Sequence, residues 1–181
     1  MLKPIRRVVT GHDARGKSII LSDGASPHTL TIPGQPNFGL TNLWITNGAP
    51  AENAGTADAA AVPVVLEPPP HGSIFRVVEF PPDQSLVGFD RKAAFDSMGA
   101  GHAMDADASR HPGMHKTATV DYAIVLSGEI WALMDEGETL LRAGDVSVTH
   151  RFVRPKVGTP GSVSTCGEGP SPRMTDLPCA S

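Results

Sequence analysis

Between Ala118 and Thr149 the chain is interrupted at Ser127-Gly128, at Asp135-Glu136-Gly137 and at Ala143-Gly144-Asp145, which leaves segments too short for stable helices. Residues 118–126, 129–134, 138–141 and 146–149 read instead as strands, because apolar and polar residues alternate within them and turn formers bound each one. Short strands joined by turns at this rhythm bury their apolar faces by packing into a sandwich or barrel. The rest of the chain agrees: 19 Gly and 17 Pro oppose long helices and favour turns.

Upstream, the runs 5–10 and 18–21 flank Asp13-Ala14-Arg15-Gly16, a pattern that predicts an N-terminal hairpin with Gly16 supplying the positive φ. Residues 40–46, with Trp44 and Ile45, predict a strand. Residues 62–66 predict an edge strand only, because Pro63 lacks the N–H a central strand needs, and Pro68-Pro69-Pro70 behind them is stiff and extended. Residues 73–80 form a good strand pattern stopped by Pro81-Pro82, and residues 91–98 have the best helical composition, ending at Gly99 and Gly101. After Val148 the alternation gives way to turn and linker composition. The chain thus divides into an N-terminal β arm with loops (1–70), a barrel core (71–150) and an irregular Pro/Gly/Ser-rich tail (151–181).

A net charge of -4 with scattered basic residues argues against a nucleic-acid partner. No run approaches the roughly 20 apolar residues that span a bilayer, so no membrane partner is expected. Basic Met1 to Arg7 are followed only by Val8 and Val9 before Thr10, which is not a secretory pattern, and a cytoplasmic address is expected. Cys166 and Cys179 lack any zinc spacing and read as incidental thiols. A small molecule is the expected partner.

Strand periodicity places His115, Thr117, Thr119 and Asp121 on one face, with Lys116, Val120, Tyr122 and Ile124 on the other. Such a polar row either faces water or lines an interior. Tyr122, Trp131 and Phe75 either edge a ligand pocket or fill core; Lys116 and Arg142 either bind a carboxylate or are solvated. A straight strand would separate His115 from Asp121 by about 20 Å, so a bend is needed for both to reach one ligand.

The run from His115 through Thr117, Thr119 and Asp121 to Gly128 resembles the first motif of the cupin superfamily, and Gly144-Asp145 resembles the start of the second. In that motif two histidines stand one residue apart, an acidic residue follows the second by four, and a glycine comes seven later. His115 matches the first position, Thr117 stands in place of the second histidine, Asp121 replaces the usual glutamate, and Gly128 matches the glycine. The resemblance is to small bacterial single-domain cupins of the cupin 2 conserved barrel type and spans residues 5–148.

It implies an all-β fold, a double-stranded β-helix forming a cupin-type jelly-roll barrel, with an N-terminal arm and an atypical C-terminal tail. It implies a small organic ligand in the barrel, with His115 and Asp121 as acid and base in lyase, isomerase or oxygenase chemistry. Thr117, Thr119, Tyr122 and Trp131 are the ligand-binding candidates. Relatives hold Fe, Mn, Ni or Zn with three histidines and a glutamate; here His115 and Asp121 would be joined by His111, with His102 and His150 as further candidates. The chain departs from that pattern at Thr117 and again where Pro155 occupies the position of the second motif's histidine. The alternative is a non-catalytic module, binding or structural, with a degenerate metal site. The resemblance also implies a homodimer built through the N-terminal arm.

Overall fold

The structure is a computed structural model that describes residues 1–86, 88–104, 111–150 and 161–168. The two N-terminal runs pair as expected. Strand β1 (Arg6–His12) and strand β2 (Ser18–Ala25) form an antiparallel hairpin. Its turn is tied by Asp13 Oδ1, which accepts the N–H groups of Arg15 and Lys17 at 2.8 and 2.9 Å, and by Gly16 at φ 76°.

Strands β3 (Thr29–Thr31), β4 (Gly39–Thr46), β5 (Ser73–Phe80), β6 (Val120–Ser127), β9 (Val146–Thr149) and β10 (Gly161–Glu168) build a six-stranded sheet in the order β3-β4-β5-β10-β6-β9, with antiparallel neighbours. Strands β7 (Glu129–Leu133) and β8 (Glu138–Arg142) pair only with each other. The inner face of the large sheet carries Leu40, Phe80, Val125 and Val163, all buried, and packs against helix α1 (Arg91–Ser97) through Ala94 and Phe95. Asp90 starts that helix by accepting the N–H of Ala93 at 2.9 Å, and Lys92 pairs with Asp96 one turn on.

This architecture corrects the expected fold class. The fold is mostly β, but it contains a genuine α-helix, and among the described residues the sheet does not close into a double-stranded β-helix barrel. The local reason lies at Gly128. Its positive φ of 74° turns the chain sharply after β6, so β7 leaves the large sheet and pairs with β8 instead. Strands β3 and β9 are left as sheet edges.

Residues 62–66 form no strand; Leu66 donates its N–H to Met98 O at 3.0 Å, which ties this Pro63-interrupted segment to the end of α1. Residues 161–168, read from composition as turn and linker, instead supply β10, which fills the space between β5 and β6. Ladder partners on both sides outweigh weak local propensity there. Residues 151–160 and 169–181, with Pro155 and Cys179, lie outside the described residues. Among the described residues no helix is long and apolar enough to cross a membrane.

Candidate functional site

Alternation along β5 points Ile74, Arg76, Val78 and Phe80 to the inner side of the sheet, while Phe75 points outward and is half-exposed. These inner residues form one wall of a pocket of about 850 Å³, counted with its open mouth, covered by Ala94 and Phe95 of α1, by Met98 just after that helix, and by Leu66 and Pro68. Phe38, Leu40 and Phe89 complete an apolar lining, against which five residues make a polar wall: Arg76, His115, Thr117, Thr119 and Asp121.

The predicted polar row therefore faces the pocket along its whole length, although it is not one continuous strand. Regular pairing begins only at Val120. His115 is held separately, by an isolated bridge to Met104, and Lys116 donates its N–H to Ala103 O at 3.0 Å. His115 is buried; its ring stands edge-on to Phe95 at 5.4 Å, and Nδ1 lies 2.9 Å from Gly113 O. A carbonyl oxygen can only accept, so Nδ1 carries the proton, and in the neutral ring the lone pair sits on Nε2.

The other polar groups form a chain. Thr119 Oγ1 donates to Asp121 Oδ2 at 3.1 Å, and Thr117 Oγ1 lies 2.8 Å from Thr119 Oγ1. Thr119 has one proton, so while it donates to Asp121 it must accept from Thr117. Burial pushes the Asp121 carboxyl up, against the opposing pull of the Thr119 hydrogen bond and the Arg76 charge. Burial also pushes the Arg76 guanidinium down, to about 10, with Asp121 acting the other way. Arg76 stays a cation at neutral pH.

Arg76 was not among the residues singled out from the sequence. The available signal was its parity: an arginine at the inward position of a strand whose other inward residues are Ile74, Val78 and Phe80. Two ligand-binding candidates lie elsewhere. Tyr122, next to Asp121, points by strict alternation to the outer face, where it is half-exposed beside Ile124 and Val148. Trp131 sits on β7 and packs against the buried cluster of Met114 and Leu133, because the hairpin that carries it has left the large sheet.

His111 does not line the pocket. Its Nδ1 accepts the N–H of Gly113 at 3.0 Å and its Nε2 lies 3.4 Å from Asp83 Oδ2. His102 Nε2 lies 2.8 Å from Glu67 Oε2. Among the described residues no three His, Cys, Asp or Glu side chains come together as metal ligands.

No family model matches the chain. It is 29% identical over 147 residues to the cupin-domain-containing oxidoreductase virC of Hypocrea virens, covering 78% of this chain and 61% of that protein. It is 26% identical over 160 residues to the cupin-domain-containing oxidoreductase fogC of Aspergillus ruber, covering 84% of this chain and 65% of that protein. The matched region thus spans less than two thirds of the length of both fungal relatives. Among solved structures, the Cnp3 cupin domain of Schizosaccharomyces pombe overlaps 91% of this chain and 88% of its own, at a TM-score of 0.40 and 8% identity. The fungal relatives support a cupin-superfamily fold for this chain.

Proposed function

We propose that this chain binds a small organic molecule in the pocket between the large sheet and α1, and that His115 and Asp121 move a proton on that molecule. The observation that carries the reading is the polar wall itself: a buried imidazole and a hydrogen-bonded Thr117-Thr119-Asp121 chain set against an otherwise apolar lining. His115 Nε2 is the base, taking a proton from an acidic C–H or O–H of the ligand. Asp121 is the reservoir. Its upward-shifted carboxyl accepts or returns a proton, and the two threonine hydroxyls reverse direction to carry it. Two fungal relatives bear the name cupin-domain-containing oxidoreductase, which supports reading this proton transfer as one step of an oxidoreductase-type reaction.

The test has two arms. Binding is read by ligand-observed NMR with small aromatic and branched aliphatic compounds, on the wild type and on an Ala94→Trp variant that fills the pocket from α1. Binding to the wild type that the variant abolishes is the expected result; binding that survives in the variant places the ligand elsewhere. Proton transfer is read by exchange of a bound ketone's α-protons in deuterated water. Exchange that disappears in His115→Gln and Asp121→Asn supports the catalytic role. Binding without any exchange leaves a non-catalytic binding module.

A further inference from the structure

Arg76 is a cation in the wrong place for a structural residue. It is 4% exposed, its Nη2 atom has no hydrogen-bond partner, and among the described residues no carboxylate stands within ion-pair distance of it. Removing an arginine from water without a partner is strongly unfavourable, and proteins ordinarily match such a group with a carboxylate or a set of carbonyls. Asp121 acts on Arg76 through its charge alone, since no hydrogen bond or ion pair joins the two among the described residues. The neighbouring strand adds a second mismatch. Asn42, the register partner of Arg76 on β4, shares its face, is fully buried, and has neither its Nδ2 nor its Oδ1 atom bonded.

The rest of the lining narrows what could satisfy Arg76. A guanidinium presents paired N–H groups that match the two oxygens of a carboxylate. Arg76 is the one cationic side chain on the described pocket wall apart from a protonatable His115, and Asp121 stands nearby with opposing charge, so a multiply charged anion is disfavoured. Phe38, Phe80, Phe89, Phe95 and Met98 require the remainder of the molecule to be apolar.

Building on the pocket reading above, we infer that the ligand is a small apolar monocarboxylate whose carboxylate is received by Arg76. The apolar body lies against the phenylalanines under α1, and the carboxylate end lies on the wall where His115 and Asp121 can reach the adjoining carbon. Arg76 is here a specificity-determining residue: it selects the charged end group and orients the molecule.

The experiment compares charged and neutral probes of the same shape, benzoate against benzamide and isovalerate against isovaleramide, by calorimetric titration of the full chain. The wild type is expected to bind each carboxylate at least about tenfold more tightly than its amide, since a charge-assisted bidentate contact is the difference between them. Arg76→Met should bind carboxylate and amide alike, and Arg76→Lys should recover part of the preference. Ligand-free Arg76→Met should melt at or above the wild-type temperature, because an unmatched buried charge is gone.

Two results overturn the inference while leaving the pocket reading intact: equal affinity of the wild type for charged and neutral probes, or an unchanged carboxylate preference in Arg76→Met. An Arg76→Met variant that melts lower and loses both probes equally makes the arginine structural, which also overturns it. If none of the four probes binds the wild type, the pocket reading and the inference fall together.

Discussion

Arg76 and Asp121 line the same pocket and influence one another's charge, yet no hydrogen bond or ion pair joins them. Arg76 is buried and Asp121 partly so, and each keeps part of its desolvation cost uncompensated in the folded chain. Groups left in that condition face a cavity more often than they stabilise a core, because a site must keep some polar capacity unspent until its ligand arrives. The pocket therefore trades stability for binding at these two residues, and substitutions there should separate the two properties.

Asp121 makes the first prediction. A buried carboxyl whose folded-state pKa is raised binds more protons in the folded chain than in the unfolded one. Stability contributed by that protonated form is present below the ordinary aspartate value of about 4 and declines as pH rises through the raised value. Asp121→Asn should flatten this decline, leaving the variant as stable as the wild type or more so at neutral pH, while removing any proton exchange on a bound ligand. Thermal melts across pH 4 to 8 decide it; an unchanged pH slope in the variant would show that Asp121 does not carry the effect.

Asp58 predicts the opposite slope. Its carboxylate accepts from Arg7, from the Ala60 N–H at 3.0 Å and from His28 Nε2 at 2.8 Å, and Arg7 also donates to Leu43 O at 2.8 Å. The Arg7 hydrogen bond, ahead of the smaller pull of His28 and Ala60, holds the Asp58 carboxyl well below the usual carboxylate range against the opposing effect of burial. Stability from this contact is therefore full above the ordinary aspartate value and is lost as pH falls through the folded one. Asp58→Asn should cost about 1.5 to 3 kcal/mol at neutral pH, the range for hydrogen bonds to charged groups. The cost should shrink in acid. Equal destabilisation at pH 7 and at about pH 2 would mean that packing, not charge, holds this junction.

What could be read from the sequence was what local chemistry decides. The 73–80 pattern is β5 to the residue, because Pro81 and Pro82 end it, and the 91–98 composition holds α1 (Arg91–Ser97), which Asp90 caps and which ends at Met98 before Gly99. The row His115-Thr117-Thr119-Asp121 was legible because period-two spacing survives even where the strand is irregular. The rest depends on contacts between distant segments. β10 has a weak strand pattern and exists because β5 and β6 leave a gap of one strand between them. Whether Gly128 would redirect β7 into a separate hairpin, and so carry Trp131 away from the pocket, was not encoded in alternation at all. Arg76 was visible in the sequence, but only the folded pocket shows its Nη2 without a hydrogen-bond partner among the described residues.

Gly72 tests how the pocket wall is kept in register. A Cβ built there would lie 2.0 Å from Thr46 O and 2.7 Å from Pro69 Cγ, and the first of these is backbone that cannot swing away. Ser73, the next residue, is bonded to Thr46 twice, through its N–H at 2.9 Å and its hydroxyl at 2.8 Å, and this contact starts the β4–β5 ladder that places Arg76 opposite Asn42. Gly72→Ala should cost about 1 to 3 kcal/mol and weaken probe binding. Gly48→Ala, with nothing within 4 Å of its Cβ and no positive φ, should be close to neutral. Similar melting temperatures for the two variants would refute the steric argument.

Phe95 stands where stability and site geometry meet, since its ring touches both the buried core and the imidazole of His115 at 5.4 Å and lies 5.7 Å below the Arg91 guanidinium. Phe95→Ala should cost about 3 to 5 kcal/mol and enlarge the pocket. That variant alone cannot separate folding from binding, so Phe95→Leu is the informative partner. It keeps most of the apolar volume but removes the edge-on ring from His115 and the π face from Arg91. If Phe95 positions His115, Phe95→Leu should retain most of the thermal stability and still bind probes, yet slow deuterium exchange on a bound ketone relative to the wild type. Exchange at the wild-type rate in a folded Phe95→Leu would mean that the Phe95 ring does not set the orientation of His115, which its bond with Gly113 O helps to hold.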